Sequence, residues 1–343
     1  MENIFEDKVK ECLIKENLWK NGYHFEKNPN QRGQSFNFFV VNEKDQKIFI
    51  AKFFDYLADF KSESFERIDE FSSISDYIEW ISNSDNSIDV EQVLEATHYV
   101  QRSFNRYVEV CSNYNCGFPK LYANEKSLKI NGSFYGLLIE EVIVGITLDK
   151  HIKRINRDSV ENNNLFLQVV SFINEITKSL ALLNQNNIVH RDLSPDNIIY
   201  NDGIYTIIDP GVIKMVDRDK TRTFGFIFGK RSYVSPEQFR GYASQVDFTS
   251  DLYSLGVISF EFVLGYNPLK KYIDKTNNPH KDFFRDVNRD IEDDFFDLIE
   301  ESTTTKRFYQ LLCKMVQVER RYRFETMDEF REFFDTITME VGI

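Results

Sequence analysis

The stretch 188–211 constrains this chain more than any other, because it sets polar groups where burial makes them expensive. The apolar runs Ile188-Val189, Ile198-Ile199-Tyr200 and Tyr205 to Ile208 have the make-up of short buried strands. Asn201-Asp202-Gly203, between the last two, is a hairpin turn signal. Threaded among them are Asp192, Asn197 and Asp209. The hairpin brings Asn197 and Asp209 near each other, with Asp192 on the loop feeding its first strand. A carboxylate plus an amide oxygen suits a hard cation such as Mg2+, which keeps its waters and bridges to phosphate. Asp192 is then left to orient a hydroxyl and accept its proton. A charged hairpin without chemistry would leave three acceptors uncompensated in an apolar frame.

Composition narrows the partners. A chain of 343 residues buries a large core and normally divides in two. With 42 basic against 55 acidic residues, net −13, it disfavours nucleic acid and anionic membranes, so positive charge for polyphosphate must be local. Cys12, Cys111, Cys116 and Cys313 form no C-x-x-C pair, which points to reduced thiols in the cytoplasm. The start lacks an apolar leader segment, and no stretch approaches about 20 consecutive apolar residues. The expectation is a soluble, cytoplasmic chain without a membrane partner.

His190-Arg191-Asp192-Leu193-Ser194-Pro195-Asp196-Asn197, followed by Asp209-Pro210-Gly211, resembles the catalytic loop and metal-binding turn of Hanks-type (eukaryotic-like) Ser/Thr protein kinases, with a loop variant of bacterial character. Gly229 to Glu237 resembles that family's G-T-x-x-Y-x-A-P-E, Asp251 to Gly256 its D-x-W-S-x-G, and Arg323-Phe-Glu-Thr its closing R-x-x-S/T. The resemblance runs over roughly residues 23–338 and is strongest from 188 onward. It implies an α+β, bilobal kinase fold: a small β-rich N-lobe with helix αC over 23–141, a larger helical C-lobe over 142–343, and an N-terminal helical extension over 1–22. It also implies ATP- and Mg2+-dependent phosphoryl transfer to Ser/Thr hydroxyls of proteins, autophosphorylation included. A pseudokinase scaffold and a small-molecule phosphotransferase of kinase-like fold are the alternatives.

The first third is the divergent part. Residues 3–20 carry Ile4, Phe5, Val9, Cys12, Leu13 and Trp19 at helical spacing, for packing on the first lobe or docking a regulatory partner. Residues 23–53 read as three antiparallel strands, with turn residues Asn42 to Asp45. Lys52 sits inside the strand Ile48 to Phe54, where a lysine needs a counter-charge, and it resembles the kinase lysine that binds the α- and β-phosphates. The preceding loop keeps only Gly33 of the family's three glycines. An extra helix is expected over about 62–82 and αC over 90–114. The slot for the αC glutamate falls near Tyr107, which is not acidic, so the partner of Lys52 stays open among Glu70, Glu95 and Glu109. Counting along Gly136 to Leu148 makes Glu141 the first hinge residue and Glu140 the gatekeeper; a hinge one residue longer makes it Ile139. A buried Glu140 would need a cation, and Lys52 would be close by.

The resemblance then assigns roles. Asp192 is the base; Asn197 and Asp209 hold Mg2+; Lys52, Gly33 and Glu141 serve the nucleotide. His190 and Asp251 shape the loop, and Glu237 with Arg323 form a buried ion pair. Ser194 stands where the family has its catalytic-loop lysine, and Lys230 where it has the threonine of the G-T pair. The hydroxyl and the ammonium have exchanged sides on this reading, so that Lys230 serves the γ-phosphate. Pro210 replaces the flipping phenylalanine and predicts a fixed turn. Control would fall to the activation segment, where Arg191 is suited to a phosphate on Thr221, Thr223 or Ser232.

Overall fold

Alternating apolar residues between 24 and 141 build a five-stranded antiparallel sheet. The computed structural model describes residues 2–27, 35–57, 70–83, 90–113, 117–157, 162–209, 214–215 and 229–343. They fall into two units, Met1–Asn115 with Pro119–Ile143, and Cys116–Phe118 with Val144–Ile343. The fold is α+β, one unit built on the antiparallel sheet and the other mainly helical.

In the first unit the chain order is α1 (Glu2–Lys15), β1 (His24–Lys27), β2 (Ser35–Val41), β3 (Lys47–Asp55), α2 (Ile74–Asn83), α3 (Val90–Asn113), β4 (Leu121–Ile130) and β5 (Ser133–Glu141). The strands lie in the order β1-β2-β3-β5-β4. One face, with Phe38, Val40, Ala51, Phe53, Leu137 and Ile139, packs on Val9, Cys12 and Leu13 of α1. The other face, with Phe54 and Leu138, packs on Tyr77 of α2 and on Val100, Phe104 and Tyr107 of α3. Gly136 of β5 permits that approach: a Cβ there would lie 2.6 Å from the Phe104 ring and from the Tyr56 hydroxyl.

One helix is shorter than its periodicity suggests. α1 stops at Lys15, where Asn17 adopts φ 57° and the Leu18 and Trp19 amides fold back onto the Leu13 carbonyl. Of the extra helix expected over 62–82, the described part, from residue 70, is α-helical from Ile74, where Ser73 caps it by accepting from the Asp76 amide at 3.1 Å. Residues 62–69 lie outside the described residues.

The second unit opens with β6 (Ile146–Thr147), α4 (Leu148–Arg154) and α5 (Asn162–Gln185). Then come β7 (Ile188–Val189), β8 (Ile198–Asn201), β9 (Ile204–Ile207), β10 (Lys214–Met215) and α6 (Pro236–Phe239). α7 (Phe248–Leu264), α8 (Pro279–Val287), α9 (Asp290–Leu298), α10 (Thr303–Met315) and α11 (Met327–Val341) complete it. β8 and β9 pair through Tyr200–Tyr205 and Asn201–Ile204. Their two-residue turn has φ 45° at Asp202 and 85° at Gly203, the mirror-image turn that matches strand twist. The hairpin extends one step further, the Ile208 amide donating to the Asn197 carbonyl at 2.8 Å. α7 is buried along its length and ends at Gly265 with φ 82°. By length and composition α5 could cross a membrane, which the sequence reading did not register. Its residues Val169, Phe172, Ile173, Ile176 and Leu180 are buried, and Phe172 meets the rings of Tyr205 and Phe262, as in a core helix.

Candidate active site

The loop between β7 and β8 is shaped from beneath by α7. Asp251, in the first turn of α7, accepts from the His190 amide at 2.8 Å and the Arg191 amide at 2.9 Å, one per carboxylate oxygen. Those bonds hold the loop through Arg191, which sits at φ 70°. The His190 imidazole is fully buried and stacks on Phe118; burial pushes it down to about 4, so it is neutral, and Nδ1 accepts from the Asp192 amide at 3.3 Å. Arg191 is itself buried, and its carbonyl accepts from Gln238 Nε2 at 2.9 Å.

Asp192 is held from two sides. Asn197 Nδ2 donates to its Oδ2 at 3.0 Å and to its carbonyl at 2.9 Å, and the Lys230 amide donates to its Oδ1 at 3.2 Å. Burial first, then the charge of Asp209, pushes its carboxyl up to about 6 against the pull of Lys230 and Asn197. The Lys230 side chain crosses to the loop between β7 and β8: Nζ lies 3.1 Å from Ser194 Oγ and pairs with Asp196. The sequence reading missed Asp196, although it lies two residues from Ser194 on the same short helical turn. Gly229 makes the crossing sterically allowed. It has φ 91°, and a Cβ there would lie 2.5 Å from the Arg191 carbonyl and 3.4 Å from Asp192 Oδ1.

The hairpin and loop offer the donors a hard divalent cation takes. Asn197 spends its amide hydrogens on Asp192, which leaves its Oδ1 for a ligand, and Asp209 (φ 60°) carries a second oxygen donor at the open end of the hairpin. The charge of Asp209 raises the proton affinity of Asp192, a setting that a cation relieves. The residues present therefore fit Mg2+.

Below the loop, Arg323 Nη1 and Nη2 meet Glu237 Oε1 and Oε2 at 2.8 and 3.0 Å, and Ser250 Oγ donates to Glu237 Oε1 at 2.6 Å. Burial pushes the Glu237 carboxyl up, but the Arg323 charge and the hydrogen bonds from Arg323 and Ser250 outweigh it, leaving it below its usual range. Ser232 is half-buried, and its carbonyl accepts from Asn267 at 3.0 Å.

In the sheet unit, Lys52 is buried, and among the described residues Glu140 sets a carboxylate at its ammonium, Nζ to Oε1 2.5 Å. Glu70 is exposed and Glu109 half-buried; the Glu95 side chain lies outside the described residues. Ile50 stands opposite Glu140 and Lys52 opposite Leu138, so Glu140 shares the Lys52 face of the sheet, while Ile139 points into the α1 core. Glu141 ends β5; its amide donates to the Lys120 carbonyl at 2.9 Å, and its Oε2 accepts from the Lys120 amide at 3.3 Å. Gly33, Pro210, Thr221 and Thr223 lie outside the described residues.

A strand lysine held by a carboxylate, together with an Asp–Asn–Asp set on a loop and hairpin supported by an apolar helix, defines a kinase-like fold. The chain belongs to the protein kinase domain family, which matches residues 87–333, a span that begins after Lys52. Among its relatives is a Clostridium acetobutylicum protein described as a probable serine/threonine-protein kinase, 33% identical over 133 residues, which are 38% of this chain and 19% of that one. The serine/threonine-protein kinase PknA of Mycobacterium tuberculosis is 31% identical over 132 residues, 38% of this chain and 29% of its own length. PknL of the same species is 36% identical over 101 residues, 29% of this chain and 25% of that one. The matched part thus spans less than a third of each of these relatives.

Proposed function

We propose that the chain transfers the γ-phosphoryl group of ATP, with Mg2+, to Ser or Thr hydroxyls of proteins, itself included. The observation that carries the reading is the Asp192 carboxylate, fixed at Oδ2 by Asn197 and at Oδ1 by the Lys230 amide. A carboxylate so oriented aligns an incoming hydroxyl and takes its proton as the new bond forms. Its proton affinity, raised to about 6, leaves it ionised at neutral pH yet a better acceptor than an ordinary aspartate. Asn197 and Asp209 would hold Mg2+, which neutralises phosphate charge when bound. Lys52 grips the α- and β-phosphates, and Gly33 and Glu141 serve the nucleotide. Lys230, whose ammonium reaches the Ser194 hydroxyl, supplies charge to the γ-phosphate in place of a loop lysine. Cys12 and Cys313 are free thiols, in keeping with a reducing cytoplasm. A regulatory partner of α1 would meet its exposed residues Ile4 and Ile14.

Purified chain incubated with radiolabelled ATP, Mg2+ and a general protein substrate tests the proposal. Label should enter the protein substrate and the chain, vanish with Asp192→Asn and Asp209→Ala, and leave a panel of sugars and aminoglycosides unlabelled. A wild type as inert as those variants makes the chain a scaffold. Labelled small molecules would move it to the other phosphotransferase class. Lys230→Ala with unchanged turnover would refute the exchange with Ser194.

A further inference from the structure

The counter-charge of Lys52 is built into the sheet. In the β3–β5 ladder Lys52 stands opposite Leu138 and Ile50 opposite Glu140, which makes residues 52 and 140 diagonal neighbours on one face. Their side chains are 7% and 3% exposed, with Nζ 2.5 Å from Oε1. A third group joins them from α3: Lys52 Nζ lies 3.1 Å from the Tyr107 hydroxyl, which donates to Glu140 Oε2. Tyr107 is fully buried and stands near the helix slot where the resemblance expects a glutamate.

We propose that Glu140 is the positioning residue for the Lys52 ammonium, with Tyr107 as a neutral brace between them. The proposal rests on the reading of Lys52 as the phosphate-binding lysine. A strand carboxylate and a strand lysine are set in register by the hydrogen bonds that form the sheet, so the ion pair is complete once β3 and β5 have paired. A carboxylate carried on a helix would instead come and go with that helix. In this chain a small shift of α3 strains a phenol hydrogen bond and leaves the Lys52–Glu140 pair standing. Placing the carboxylate on β5 therefore ties lysine orientation to the sheet more closely than to the position of α3.

Steady-state kinetics on full-length variants test this, with melting temperature measured alongside. Glu140→Gln should raise KM for ATP and lower kcat/KM by about 10²-fold, the loss typical of a misplaced binding group. Glu140→Asp should recover part of it, and Tyr107→Phe, which removes one neutral hydrogen bond, should stay within roughly tenfold of wild type. The pair Glu140→Leu with Tyr107→Glu returns a carboxylate from the helix side, and it should regain activity over Glu140→Leu alone. It also keeps the test readable if Glu140→Gln folds poorly. Glu140→Gln with wild-type kcat/KM, or Tyr107→Phe as damaging as Glu140→Gln, would overturn the positioning role. A wild type that transfers no phosphate would overturn the kinase reading and this proposal with it, whereas an active wild type beside an unaffected Glu140→Gln overturns only the second.

Discussion

Arg323→Ala is the sharpest perturbation of the helical unit. The Arg323 side chain is 0% exposed and Glu237 5%, joined by two bonds at 2.8 and 3.0 Å. Arg323 also donates to the carbonyls of Gln317 and Thr249 and sits 4.9 Å from the Tyr253 ring. Truncation leaves a buried carboxylate with Ser250 as its remaining donor among those bonds, a change of about 3–5 kcal/mol. At about 2–4 °C per kcal/mol for a unit of this size, the melting temperature should fall by roughly 6–20 °C. The pH dependence has a fixed sign. The folded Glu237 carboxyl titrates below its ordinary 4.5, so its contribution is present above that value and is lost as pH falls through the lower folded value. The melting gap between wild type and variant should therefore close below about pH 4.5. Differential scanning calorimetry at several pH values reads both effects. The compensating pair Arg323→Met with Glu237→Leu should recover most of the loss, since an apolar pair needs no counter-charge. A single variant melting within about 2 °C of wild type, or a double no better than the single, would refute the reasoning.

Three further expectations follow from the geometry. Gly229→Ala, which forces a Cβ against the Arg191 carbonyl, should displace the Lys230 amide from Asp192 and lower turnover by roughly tenfold or more in phosphoryl-transfer assays. His280, buried with Nε2 2.9 Å from the Val234 carbonyl, is pushed down by burial to about 4, so its contribution is full above 6.5 and lost as pH falls toward 4. Chemical denaturation should accordingly show the deficit of His280→Gln shrinking over that interval. Ser73→Ala should cost α2 about 1 kcal/mol, read as faster amide exchange at Asp76 and its neighbours.

The helical unit was the more legible part of the sequence. Strand length, the turn residues Asp202-Gly203 and the spacing of α5 are local signals, and the hairpin they specify has Asn197 immediately before β8. The ion pair of Glu237 and Arg323 was readable through the resemblance alone, since 86 residues separate its members. The carboxylate at Lys52 is harder to read, because the resemblance points to the helix glutamates for it. Glu140 lay in view as a buried acid beside Lys52, but joining the two requires the β3–β5 register, which no local pattern prints. Asp196 escaped for a related reason: its meeting with Lys230 spans 34 residues and depends on the backbone at Gly229.

The helix at the start of the chain deserves to be counted as part of the sheet it covers. Val9, Cys12 and Leu13 are buried against β-strand residues, and Phe5 meets the rings of Phe53 and Tyr135 edge-on at 5.1 and 5.3 Å. A chain begun at His24 would bare Phe38, Val40, Ala51 and Phe53 together, a contiguous oily surface of the sort that draws proteins into aggregates. Recombinant work on the sheet unit should therefore keep the first fifteen residues, or replace those four with polar ones before removing them.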